Sequence, residues 1–186
     1  MSNALTFDVR DGTAVICFTR PESRNALSVE VLVELNRVVD VIKSDRSLEK
    51  VYFTGSDDVF ASGADIREID RLKPDGARDF ATRGQQLMEK IAGLRPMTIA
   101  AVNGYCYGGA LDLALACDGR IASPNATFCH PGVGLGIITG WGGTQRLPRL
   151  VGEANALRLF FTAVPINAGE ALRIGLIDTI ETGPLK

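Results

Sequence analysis

The sequence predicts an α/β fold in which strands are joined by crossover helices. Three observations point there. Strand-like runs rich in β-branched residues alternate with helical apolar patterns along the chain. Two glycine-rich turns, Ala61-Ser62-Gly63-Ala64-Asp65-Ile66 and Asn103-Gly104-Tyr105-Cys106-Tyr107-Gly108-Gly109-Ala110-Leu111-Asp112, each follow a strand-like run and open a helix-like one. The 186 residues, 46% of them apolar, suffice for a sizeable core. No Pro- or Ser-rich linker, low-complexity tract or sequence repeat divides the chain, so a single domain over 1–186 is expected.

Leu5–Val9 and Thr13–Thr19 read as strands, with Asp11-Gly12 as their hairpin turn. Ser28 is placed to cap a helix whose apolar positions Leu32, Leu35, Val38, Val39 and Ile42 repeat at helical spacing, and Leu27 with Leu32 forms a hydrophobic staple. Val51–Thr54 is the next strand. A short helix from Asp65 and a longer one from Asp75 to Gly93 follow, and Pro96 separates the latter from the strand Thr98–Val102. The second glycine turn launches an apolar helix through Ala116. After it come a strand at Gly119–Ala122 and a turn at Ser123-Pro124-Asn125. Helices near Gly142–Leu150, Glu153–Phe161 and Ala168–Ile174 and a strand at Leu176–Ile180 complete the chain.

A formal net charge of −2 and the lack of a long basic run give no reason to expect nucleic acid. No apolar run suits a membrane span. Cys17, Cys106, Cys117 and Cys129 lack the CxxC spacing of a zinc or redox site and sit in apolar stretches, which predicts reduced, packed thiols and no metal. The first residues, Met-Ser-Asn-Ala-Leu-Thr, lack a charged n-region and apolar h-region, so the expected location is cytoplasmic.

The glycine turns carry the functional signal. The first donors of a helix have no intrahelical partners and lie at the positive end of its dipole, so two helix starts aimed at one point can bind a developing oxyanion. Neither turn has the lysine of a phosphate loop, and Gly-x-Gly-x-x-Gly does not open the first crossover. Taken alone, such turns also serve tight connection and close packing.

Five ordered stretches carry a resemblance. They are Arg20-Pro21 with Arg24-Asn25-Ala26-Leu27; Gly63-Ala64-Asp65-Ile66; Asn103-Gly104 through Gly108-Gly109; Leu113-Ala114 through Cys117-Asp118; and Gly142-Gly143-Thr144-Gln145-Arg146-Leu147. In order and spacing the chain resembles the crotonase, or enoyl-CoA hydratase/isomerase, superfamily over nearly its whole length. The resemblance implies a crotonase-like spiral of ββα turns that binds an acyl-CoA thioester. It implies oxyanion donors at the backbone N–H groups of Ala64 and Gly109. It also implies CoA contacts at Arg24, Ala26, Ser62, Ala64, Asp65 and Ile66, with Arg67 and Gly109 beside them. Both arginines carry the charge that phosphate oxygens require. No cofactor beyond the CoA moiety is implied, and the expected assembly is a homotrimer or hexamer.

The chain departs from these relatives at the acid and base. Hydratases of the family use two glutamates, one just inside the helix after the second glycine turn and one after a Phe-x-x-Pro stretch. Those positions are Asp112 and Gly132 here. An aspartate also stands at the first position in the family's dienoyl-CoA isomerases, so Asp112 is expected to be the proton carrier; as an acidic residue in a first turn it would also stabilise its helix. The acidic partners of the isomerases are absent too, with Gly132, Gly134 and Gly140 across that loop. His130, the single histidine, lies beside the missing glutamate and is a second candidate for proton transfer, preferred to Tyr105, Tyr107 or Thr139. In the family its position holds a polar residue whose side chain need not face the substrate. Trp141 is expected to line or support the acyl pocket, and Asp118 to accept hydrogen bonds at a turn.

Relatives continue past the last strand into helices that cover the acyl pocket and build trimers, and the chain is expected to lack most of that segment. The expected activity is that of an enoyl-CoA hydratase/isomerase-like lyase whose oxyanion hole stabilises an enolate while Asp112 moves the proton. An acyl-CoA hydrolase or decarboxylase on the same scaffold, and a non-catalytic acyl-CoA-binding module, are the alternatives.

Overall fold

In the computed structural model, which describes residues 4–183, the chain opens with the hairpin of β1 (Leu5–Arg10) and β2 (Thr13–Phe18). Asp11 and Gly12 turn it with φ of 47° and 73°, the pair of positive angles that a type I′ turn demands. Helix α1 (Val29–Ser44) starts where expected: the Ser28 hydroxyl accepts the Val31 N–H, and Leu32, Leu35, Val39 and Ile42 are buried.

From β3 onward the chain repeats a simple unit. β3 (Lys50–Gly55) and β4 (Val59–Ala61) precede α2 (Ile66–Asp70) and α3 (Pro74–Ala92). β5 (Met97–Val102) and β6 (Tyr105–Tyr107) precede α4 (Gly109–Ala116). β7 (Gly119–Ala122) and β8 (Thr127–Cys129) precede a 3-10 turn at Pro131–Leu135 and α5 (Gly143–Val151). The first strand of each pair joins one sheet and the second joins another. The six-stranded sheet runs β1-β2-β3-β5-β7-β10, and the four-stranded sheet runs β4-β6-β8-β9. α6 (Glu153–Thr162), β9 (Ile166–Asn167), α7 (Ala168–Arg173) and β10 (Thr179–Ile180) close the fold. This is the spiral of ββα turns that the resemblance implies. Strand 176–180 is shorter than expected, because Leu176 and Ile177 are tied by their N–H groups to Ala171 O and only Thr179–Ile180 pair with β7.

The four short strands of the second sheet carry no sequence signal of their own, yet they position the site. β4, β6 and β8 are parallel: Val59 pairs with Tyr105 and, across a register shift in β4, Ala61 with Cys106, while Tyr105, Cys106 and Tyr107 pair in regular register with Thr127, Phe128 and Cys129. Their carboxyl ends therefore emerge side by side. The Asn103-Gly104 corner between β5 and β6 is pinned by the Asn103 side chain, which accepts the Gly55 N–H (3.0 Å) and donates to Asp57 O (2.7 Å). α4 lies beneath, with every residue from Ala110 to Ala116 buried. Among the described residues no cysteine is in a disulfide and three of the four are buried, and Asp118 accepts both the Thr98 N–H (2.8 Å) and hydroxyl (2.9 Å) as anticipated.

Candidate active site

A cavity of about 340 Å³ opens where the ends of β4, β6 and β8 converge. That size suits a small ligand, and strand carboxyl ends are where open α/β sheets bind one. Ser62, Ala64 and Ile66 enter from the first glycine turn, Gly108, Gly109 and Asp112 from the second, and His130, Pro131 and Gly132 from the third strand end. Ile69 from α2, Leu72 from the link that follows it and Phe80 from α3 supply an apolar wall.

The two glycine turns abut backbone to backbone. Gly63 has φ of 80°, and a Cβ there would lie 2.5 Å from Gly109 N and 2.8 Å from Tyr107 O. Gly108 has φ of 56° and donates its N–H to Cys129 O (2.9 Å), which ties the second turn to the third strand. As the first residue of α4, Gly109 has no intrahelical acceptor for its N–H. At Gly109 the neighbour that forbids a side chain is Trp141, whose ring carbons would lie 2.4 Å from a Cβ. The same indole packs on Gly84 of α3, where a Cβ would meet it at 2.2 Å, and against Phe80 with centroids 5.7 Å apart. Gly84 went unremarked in the sequence; its signal was an isolated glycine inside a helical pattern.

Asp112 is completely buried and faces the cavity. Its Oδ2 accepts hydrogen bonds from the Thr139 hydroxyl and from Trp141 N–H (3.1 Å). Thr139, weighed earlier only as a proton donor, thus holds the carboxylate in place. Oδ1 has no hydrogen-bond partner among the described residues. Burial pushes the Asp112 carboxyl up from 3.8 to about 6, against the lowering effects of the Thr139 hydroxyl, the Trp141 N–H, the Arg146 charge and a nearby Gly143 N–H that completes no hydrogen bond to Oδ1.

His130 turns inward, at a position where the resemblance implies a polar side chain that need not face the substrate. It is only 3% exposed, its ring lies against Phe160 with centroids 5.1 Å apart, and its Nε2 is 3.7 Å from Asp112 Oδ1. That gap is too long for a hydrogen bond. Burial lowers the imidazole from 6.5 to about 4, so the ring is neutral at neutral pH. Gly132 is not an empty seat for a carboxylate. Ile137 N–H donates to Gly132 O (3.0 Å), and this closes the loop so tightly that a Cβ on Gly132 would lie 2.6 Å from Ile137 O.

Of the residues singled out in the sequence, Ser62, Ala64, Ile66, Gly109, Asp112 and His130 meet in the cavity, whereas Arg24, Ala26, Asp65 and Arg67 lie outside its lining. The Arg24–Ala26 loop still stands beside the first glycine turn, because Leu27 N–H donates to Gly63 O (2.7 Å). Asn25 locks that loop: its side chain accepts from Arg20 N–H (2.7 Å) and donates to Val59 O (2.8 Å) and Phe60 O (3.2 Å). Arg24 lies over the Tyr105 ring, 5.3 Å from its centroid. Arg67 is exposed and grips Asp65 with two nitrogens, at 3.0 and 2.7 Å, while the Asp65 carboxylate also caps α2.

The sequence pattern of the enoyl-CoA hydratase/isomerase family matches residues 8–183. The chain is 46% identical over 168 residues to crotonyl-CoA hydratase of Syntrophomonas wolfei, covering 90% of this chain and 65% of that protein. It is 42% identical over 179 residues to short-chain-enoyl-CoA hydratase of Clostridium acetobutylicum, covering 96% and 69%. A crystal structure of enoyl-CoA hydratase from Bacillus anthracis superposes with a TM-score of 0.92 at 34% identity, over 96% of this chain and 70% of that one. The chain thus spans about two thirds of the length of the curated relatives it matches.

Proposed function

The chain belongs to the enoyl-CoA hydratase/isomerase family, and on that premise we propose that it is a lyase that hydrates an α,β-unsaturated acyl-CoA thioester. The thioester oxygen accepts from the N–H groups of Ala64 and Gly109, which stabilise the enolate formed as water adds to the β-carbon. Removing one such donor costs about 10²–10³ in rate in comparable sites. Asp112 carries the proton from the water to the α-carbon. The observation that carries this reading is the Asp112 carboxylate itself, buried at the cavity three residues past Gly109 and held near 6, close to the working pH that proton transfer favours.

Ser62, Ala64, Asp65, Ile66, Arg24 and Ala26 form the approach for CoA. Arg24, exposed beside the first glycine turn, and Arg67, once shared away from Asp65, meet phosphate oxygens. This chemistry moves protons and no electrons, so the reading uses no cofactor beyond the CoA moiety. The exposed apolar side chains of Leu157, Phe161 and Val164 support assembly into a homotrimer or hexamer, and four reduced cysteines, three of them buried, support a reducing, cytoplasmic setting. Among the described residues no helix is long and apolar enough to cross a membrane.

Loss of conjugated absorbance from crotonyl-CoA tests the hydratase reading: the wild type turns the substrate over and Asp112→Asn does not. A wild type without turnover sinks it. One observation favours a second reading, hydrolysis or decarboxylation of an acyl-CoA: Asp112 is the sole carboxylate lining the cavity among the described residues. Release of free CoA thiol or of carbon dioxide across an acyl-CoA panel would identify it.

A further inference from the structure

Three buried polar atoms have no hydrogen-bond partner among the described residues of this cavity: Asp112 Oδ1, His130 Nδ1 and His130 Nε2. Native folds leave few such atoms, and each calls for an explanation. Here Oδ1 and Nε2 face each other across 3.7 Å. The carboxylate is held on its other oxygen by Thr139 and Trp141, and the imidazole rests on Phe160. Neither group closes the gap. A single oxygen atom about 2.8 Å from each would fit that separation and satisfy both, since a carboxylate accepts and a neutral imidazole donates one N–H. A hydrocarbon acyl chain satisfies neither.

We infer that Asp112 Oδ1 and His130 Nε2 together hold the oxygen of the water that adds to the acyl group, which makes His130 a second catalytic residue in place of the carboxylate that Gly132 cannot provide. The inference rests on the hydratase reading. The imidazole N–H donates to the water oxygen, and one water proton points at Asp112 Oδ1. As that oxygen bonds to the β-carbon, its proton passes to Asp112 and the C=C electron pair moves onto the thioester oxygen. The enolate then collapses, and Asp112 returns the proton to the α-carbon. The net change adds OH to the β-carbon and H to the α-carbon, and His130 stays neutral throughout. Its buried ring, held to about 4, suits that role. The other groups facing the pair are Arg146 from α5 and Cys106 from β6.

His130 is the single histidine, so its ring C–H signals can be followed in the intact protein by NMR. 3-Hydroxybutyryl-CoA places an oxygen at the pair and butyryl-CoA does not, so the first should shift these signals and the second should leave them nearly unmoved. In parallel, His130→Leu, which removes the N–H donor, should lower kcat for crotonyl-CoA by about 10²-fold or more, with KM changed less than about threefold. Equal shifts with both ligands, or a folded His130→Leu protein with kcat within about threefold of wild type, overturns the inference and leaves the hydratase reading standing. Failure of calorimetry to detect either thioester overturns that reading and this inference with it. The NMR comparison needs no variant, so it decides the matter even if His130→Leu does not fold.

Discussion

Asp112 and His130 tilt the pH dependence of stability in opposite directions, and removing either one exposes the other. The Asp112 carboxyl sits at about 6 in the folded chain against its ordinary 3.8, so the folded state binds more protons between these values. The stability linked to this group is fully present below 3.8 and lost as pH rises through 6. His130 sits at about 4 against an ordinary 6.5, so across that window the unfolded chain binds more protons and stability rises with pH. At 1.36 kcal/mol per unit, each effect amounts to about 3 kcal/mol, and burial of both groups leaves little solvent screening. In the wild type the two nearly cancel between pH 4 and 6. Asp112→Asn keeps an acceptor for Trp141 N–H but abolishes the falling contribution, so relative to wild type it should gain up to about 3 kcal/mol between pH 4 and 7. His130→Gln should gain at pH 4 and lose that advantage by pH 6.5. Urea denaturation of the three proteins at half-unit steps from pH 4 to 7.5 gives the difference curves, in which the contributions of other titrating groups cancel. Curves flat within about 0.5 kcal/mol, or sloping the other way, refute the reasoning.

Gly84→Ala presses a methyl into the Trp141 indole and should cost about 1–3 kcal/mol in urea denaturation. Gly109→Ala meets the same ring and should also abolish crotonyl-CoA turnover, because the indole and the first N–H of α4 cannot both keep their places. Gly132→Glu should fail to raise hydratase activity and should lower the thermal midpoint, since Ile137 O occupies the approach to its Cβ. Asn25→Ala removes three hydrogen bonds and leaves an alanine at φ of 48°, a loss of about 2–4 kcal/mol that calorimetric unfolding would register.

Much of the first sheet was legible because its strands and helices are long enough to show a period and are bounded by strong punctuation: Asp11-Gly12, the Ser28 cap and Pro96. The second sheet was not. β4, β6 and β8 have three residues each, too few for alternation, and they exist through their pairing in the sheet, β6 between parallel β4 and β8, and β8 also against antiparallel β9. The resemblance implied a second strand per turn, but the register of those strands is a long-range fact. It decides that residue 130 follows β8 beside α4 and thus that a lone histidine faces Asp112. The second glycine turn shows the same division. That Gly109 begins a helix was plain from the sequence, whereas its need to be glycine comes from Trp141, thirty-two residues away along the chain.

Trp141 is also the only tryptophan, and it is 3% exposed. Its indole touches the glycine that begins α4, its backbone N–H holds Asp112, and its carbonyl accepts from Arg146 (3.4 Å). All intrinsic tryptophan fluorescence of this protein therefore originates in the wall of this cavity. Ligand entry, rearrangement of the carboxylate and unfolding each change the surroundings of that one emitter, which gives the unlabelled protein a built-in optical readout of its own site.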